Sequence, residues 1–214
     1  MKKVLLVATI ALSSITAASA ATTYYYSDFN SFNDSDTSLP GGTLTLTAYG
    51  LTSQFGLIRS DGNGGKALNI YGGNQYNGAV SGFIPDLGAR ILAGEVTLRM
   101  TGVYRTTPAY DSTPWNQTAQ IQFQNGVTFA TYNAIVVSAD TPSWTPFQLD
   151  LDIAGLDVSQ LTEVKANFFI PDYNPGQFQV DNLTIETVPE PSTYALLALG
   201  AAGLGAHLIR RRRR

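Results

Sequence analysis

Apolar and polar residues alternate with period two in short runs along most of the chain. Residues 43–47 read Thr-Leu-Thr-Leu-Thr, and residues 95–100 place Val96, Leu98 and Met100 on one side. Residues 120–124 alternate Gln with Ile121 and Phe123, and residues 147–153 alternate Phe147, Leu149, Leu151 and Ile153 with Gln148, Asp150 and Asp152. This is the pattern of half-buried strands, in which successive side chains point to opposite faces. Residues 177–186 carry Phe178, Val180, Leu183 and Ile185, and the phase slips between Val180 and Leu183. An extra residue near Asp181-Asn182, a β-bulge, accounts for the slip. Weaker strands are expected over residues 24–29, 67–71, 78–84, 128–137 and 163–170, and no long amphipathic helix is found.

Turn signals separate these runs. Asn125-Gly126 is a hairpin signal, and Asp61-Gly62-Asn63-Gly64-Gly65 is a glycine-rich turn. That turn has no following helix or Lys-Ser/Thr pair, so it does not read as a phosphate loop. Residues 106–117 hold two prolines without periodicity and read as a long loop. Ten or eleven short strands with frequent turns predict an all-β fold, a single antiparallel β-sandwich of jelly-roll type. The expected inward residues are Leu44, Leu46, Val96, Leu98, Ile121, Phe123, Leu149, Leu151, Val180 and Ile185.

The two ends of the chain break the pattern. Residues 1–20 carry Lys2 and Lys3, then an apolar run, then Ala18-Ser19-Ala20, which reads as a signal peptide. Residues 188–214 begin with Pro189-Glu190-Pro191-Ser192, continue through sixteen residues (194–209) without an acid, Lys or Arg, and end on five arginines. As a helix that apolar stretch rises about 24 Å, and the arginines favour the cytoplasmic side. A plain C-terminal anchor helix is one reading. The three-part tail also resembles the PEP-CTERM sorting signal of Gram-negative bacteria. That resemblance implies Sec export, transient residence in the inner membrane, recognition by an exosortase, and final placement at the cell surface or in an extracellular matrix. The expected domains are therefore 1–20, 21–187 and 188–214.

Setting the ends aside changes the charge. Residues 21–187 hold six cations against fifteen acids, a net charge of −9 where the whole chain has −3. An acidic domain without basic clusters argues against nucleic acid as a partner. The chain has no cysteine, and its one histidine, His207, lies in the tail. Disulfides, Ser-His-Asp and Cys-His sites and His-ligated metals are thereby excluded from the domain.

Three segments resemble β-sandwich carbohydrate-binding modules and galactose-binding-like domains. They are residues 26–30 (YSDFN), residues 65–70 (GKALNI), and the pair formed by 144–149 (WTPFQL) and 178–183 (FQVDNL). The resemblance implies a structural Ca²⁺ held by Asp28 and Asp181 on neighbouring first and last strands. Carboxylates suit that hard cation, although Asp181-Asn182 could equally serve only to shape the bulge. Trp115, Tyr110, Tyr76 and Tyr173 lie among Pro, Gly and Asn. They are candidates for stacking on sugar rings, such as those of an exopolysaccharide, or for covering a core edge. Trp144 is expected in the core. No catalytic residues are assigned. A hydrolase would need two converging carboxylates, and Glu95 and Glu163 both sit in runs that read as strands. The expected function is that of an exported, non-catalytic surface or matrix protein with glycan binding. The alternatives are a secreted carbohydrate-active hydrolase and a membrane-anchored structural protein.

Overall fold

The computed structural model describes residues 21–72, 78–84, 95, 97–107, 119–125, 132–137, 141–153, 164–170 and 176–188. They form one compact unit, Thr22–Val188. Its strands are β1 (Thr23–Ser27), β2 (Ser38–Gly41), β3 (Leu44–Gly50), β4 (Ile58–Ser60), β5 (Lys66–Gly72) and β6 (Gly78–Phe83). They continue as β7 (Thr97–Thr107), β8 (Ala119–Asn125), β9 (Tyr132–Val137), β10 (Thr145–Asp152), β11 (Val164–Ile170) and β12 (Gly176–Thr187). A single short helix, α1 (Leu51–Phe55), is the one helix among the described residues.

The strands make two antiparallel sheets. The first has the order β10-β7-β12-β5-β4, with β1 also on β12; the second has the order β2-β3-β6-β11-β8-β9. From β5 onward the chain crosses repeatedly between the sheets, the winding of a jelly roll. Alternation supplies the core. Leu68, Ile70, Leu98, Met100, Leu149, Leu151, Phe178 and Val180 face inward from the first sheet, and Leu44, Leu46, Val80, Ile121, Phe168 and Ile170 from the second; all are buried. Each such side chain contributes about 1.5–3 kcal/mol by leaving water, so the two inner faces hold the fold. Of the ten residues expected inward, eight are buried. Val96 and the side chain of Phe123 lie outside the described residues.

Strand β12 organises the first sheet. One of its edges pairs with β7 along nearly its whole length. The other edge pairs with β5 through Gly176–Val180 and then with β1 from Leu183 to Glu186. The hand-over falls at Asp181-Asn182, where the register against β7 shifts and Asn182 takes φ 51°. The bulge expected from the phase slip is there. Without the extra residue, Leu183 and Ile185 would face solvent; with it both are buried.

Two strands were not legible. β2 contains Pro40, which is tolerated because β2 ends its sheet and pairs only with β3. β4 has only three residues and ends the first sheet, beside β5. Strands β8 and β9 do pair as a hairpin, and their last rung joins Gln124 to Tyr132; the Asn125-Gly126 turn itself falls on residues of which Gly126 is outside the described set.

Candidate functional site

Of the four large hydrophobic residues most exposed among the described residues, three (Tyr49, Phe83 and Val136) lie on the outer face of the second sheet, and the fourth, Tyr26, lies on β1. Alternation that buries Ala48, Val80, Phe168 and Ile170 turns Tyr49, Ala79 and Phe169 outward. The ladder aligns them: Tyr49 pairs with Ala79, Ala79 with Phe169, Phe169 with Gln120, and Gln120 with Val136. One row therefore crosses five strands, about 19 Å at the usual strand spacing. Tyr49 is 48% and Val136 52% exposed. Two residues along the strands runs a polar row, Thr47–Ser81–Asn167, in which the Ser81 hydroxyl lies 2.5 Å from Asn167 Oδ1 and donates to it. Beyond it Phe83, 48% exposed, is covered on one side by the Lys165 ammonium, 4.9 Å from its ring centre. An aromatic stripe beside hydroxyl and amide groups is what a sugar chain requires, because its ring faces are apolar and its rims are hydroxylated.

The loop aromatics Trp115, Tyr110, Tyr76 and Tyr173 lie outside the described residues. The strand ends flanking their segments, Gly78, Ile170 and Ala119, belong to the same end of the second sheet as Tyr49: Gly50 pairs with Gly78, and Gly78 with Ile170. The aromatics in the stripe were missed because strand aromatics read as core. Their signal is phase. Tyr49 follows Leu44, Leu46 and Ala48 out of step, and Phe169 sits between buried Phe168 and Ile170. Trp144 is a correction in the other direction. It is half-buried on the first sheet's outer side, with the Arg105 guanidinium 4.7 Å from its ring centre, and is not part of the core.

A second constellation lies where β1, β5 and β12 meet. β1 pairs with β12, as the placement of Asp28 and Asp181 required. Phe29 then turns through φ 58°, and Asn30 N–H donates to Asp28 Oδ1 at 3.2 Å. Asp61, in the glycine-rich turn, joins the two acids that sequence reasoning singled out. Its Oδ1 accepts from Asn63 N and Gly65 N at 2.7 and 2.8 Å. Its other oxygen and Asn30 Oδ1 both lie within about 3 Å of the position a Cβ on Gly65 would occupy. Burial raises the pKa of Asp181 above the ordinary carboxylate value, and the like charges of Asp61 and Asp28 push it the same way. Among the described residues, no three acids stand close enough to ligate one ion by themselves. The carboxylates thus feel one another without forming a complete ligand set. The donors present are all oxygen, which suits a hard cation. Glu95 is described and Glu163 is not, so that carboxylate pair is not placed.

Residues 187–214 match the family model described as the PEP-CTERM protein-sorting motif. The tail is a PEP-CTERM sorting motif. It contains Pro189, Glu190, Pro191 and Ser192, which lie outside the described residues, and it implies an exported, membrane-transiting chain handled by an exosortase. No curated protein matches the chain. Among solved structures, the chain is similar to a family 11 carbohydrate-binding module of a Clostridium thermocellum cellulosomal cellulase, at 12% identity over 81% of this chain and 99% of that one, with a TM-score of 0.41. It is similar to the CBM22-1 xylan-binding domain from Paenibacillus barcinonensis at 12% identity, over 80% and 98%, with a TM-score of 0.43. An arabinose-bound GH51 arabinofuranosidase matches at 12% identity over 77% of this chain and 27% of that one, with a TM-score of 0.42. Scores of this size carry no functional weight; the sandwich rests on its own strand pairing.

Proposed function

We propose that the protein is an exported, non-catalytic glycan-binding protein, delivered by its PEP-CTERM tail to the cell surface or extracellular matrix. The observation that carries the reading is the cross-strand row Tyr49–Ala79–Phe169–Gln120–Val136 with the polar row Thr47–Ser81–Asn167 beside it. A saccharide laid along this row stacks its apolar ring faces on Tyr49 and Phe169, while its hydroxyls meet Asn167, Ser81 and Thr47. Trp115, Tyr110, Tyr76 and Tyr173 are further stacking candidates for the same saccharide. A structural Ca²⁺ joins Asp28 and Asp181, supported by Asp61 and Asn30 Oδ1, and ties the start of the domain to its last strand. Sec export precedes sorting, and exosortase acts near Pro189–Glu190–Pro191.

Calorimetric titration of the purified protein with soluble xylan, mixed-linkage β-glucan and the host's exopolysaccharide tests this. At least one binds saturably, and Tyr49→Ala weakens that binding about tenfold, or about 1.4 kcal/mol, without changing the melting temperature; Phe169→Ala, at a partly buried ring, weakens it likewise and is measured beside its melting temperature. Absence of binding to all three removes the glycan reading. Release of reducing sugar would put the hydrolase in its place.

A further inference from the structure

The outer face of the first sheet holds a cleft of about 540 Å³, away from the stripe on the second sheet. Its described walls include Arg59, Asn69, Tyr71, Arg105, Gln177 and Gln179. The ladder sets Gln179 directly between Asn69 and Arg105. In a domain with six cations and a net charge of −9, two guanidinium groups line this one cleft. Among the described residues neither is ion-paired, whereas Arg99 pairs with Asp150.

Both arginines are anchored through Nε. Arg59 Nε donates to the Tyr71 hydroxyl at 2.6 Å, and its guanidinium lies 6.0 Å from that ring centre. Arg105 donates from Nε and Nη2 to Gln179 Oε1 at 2.8 and 2.6 Å, and from Nη2 to Asp61 O. Gln179 is held in turn by donating from Nε2 to Ser60 O at 3.0 Å. These bonds leave the terminal nitrogens of Arg59 and Nη1 of Arg105 as donors. Between them Asn69 is 2% exposed, and its Nδ2 has no acceptor among the described residues. A buried donor without a partner is a standing cost that a ligand oxygen removes. Planar guanidinium groups held in advance match a carboxylate's two oxygens.

We infer that this cleft binds a carboxylate-bearing sugar unit, with the terminal nitrogens of Arg59 and Arg105 on its carboxylate and Asn69 Nδ2 on an adjoining oxygen. The choice of a saccharide rests on the glycan reading above; the anion selectivity rests on the cleft alone. Asn69 is a positioning and recognition group, and Gln179 a positioning residue that fixes Arg105.

Calorimetric titration of the full protein with tetragalacturonate, its methyl ester and tetraglutamate tests the assignment. The acid oligosaccharide binds and the ester does not; affinity falls as salt is raised. Arg59→Gln weakens it about tenfold, and Tyr49→Ala leaves it unchanged. Arg59 is exposed, so that variant keeps the fold; Arg105→Gln is measured beside it with its melting temperature. Equal affinity for acid and ester, an unchanged Arg59→Gln, or loss in Tyr49→Ala overturns the site. Tetraglutamate binding as tightly as the sugar overturns the saccharide assignment. Neutral-glycan binding lost in Tyr49→Ala reports separately on the opposite face.

Discussion

Asp181 is pressed by its surroundings toward the neutral acid. Burial is the larger cause, and the carboxylates of Asp61 and Asp28 add to it. In the unfolded chain it ionises near 3.9. Between that value and its raised folded value the native state holds the extra proton. Stability therefore falls as pH rises through that window and stays lower above it. Asp181→Asn should remove this slope and raise the melting temperature at pH 7 in the presence of a chelator. Millimolar Ca²⁺ should raise the melting temperature of the unsubstituted protein and leave the variant unmoved, which scanning calorimetry would read directly. A variant less stable than the parent in chelator, or one that still responds to calcium, would contradict the charge-crowding account. Asp150 behaves in the opposite sense. The hydrogen bonds from Arg99 hold its carboxyl below the usual value; with both side chains about one-third exposed, such a pair is worth about 0–1 kcal/mol. At this scale the sequence singled out Asp28 and Asp181, which the structure places just after β1 and within β12. It hid Asp61, whose Asp-Gly-Asn-Gly-Gly context explains itself as a turn with the carboxylate bonded to its own backbone.

Strand β12 shows how much an element can disclose about itself. Its alternation fails once, between Val180 and Leu183, and the failure marks the place where β5 gives way to β1 as its neighbour. Pattern alone therefore located the bulge, since a one-residue slip would otherwise turn every later side chain to the wrong face. Of its neighbours only β1 was expected, through the resemblance; β5 and β7 were not legible, because pairing partners depend on the whole winding. Nor were β2 and β4: a proline-containing strand and a three-residue strand carry no period to read. The exposed Asn182 takes φ 51°, a conformation Asn tolerates and most residues resist. Asn182→Ala should cost about 1–2 kcal/mol, whereas Asn182→Gly should be near neutral, because the missing Cβ offsets the extra unfolded freedom. Chemical denaturation with equal slopes for all three proteins would check both. An alanine variant as stable as the parent would mean that the bulge relaxes without strain.

The whole molecule joins a folded body to an address, and the junction is abrupt. Thr187 N donates to Thr22 O and Val188 N to Thr97 O, both at 2.9 Å. The sandwich is thus hydrogen-bonded up to the residue that precedes Pro189. The tail was legible because its three parts are each a local signal in fixed order. The sandwich was legible because alternation is local as well. The cross-strand apolar row was not, since it exists only when Tyr49, Phe169 and Val136 from three strands are set side by side. The abrupt junction constrains processing. A cut before Thr187 would remove rungs that β12 makes with β7 and β1 and uncover Ile185, which is fully buried. A cut beyond Val188 leaves every described strand paired. Exosortase should therefore cut after Val188, so that the exported protein keeps β12 whole and lacks residues 208–214. Intact-mass spectrometry of the protein recovered from outside the cell would place the new C-terminus, and its melting temperature should equal that of the uncut chain. A C-terminus inside β12 would contradict the structural constraint. An exported chain that still carries its terminal arginines would leave the tail as an anchor and remove the cleavage step.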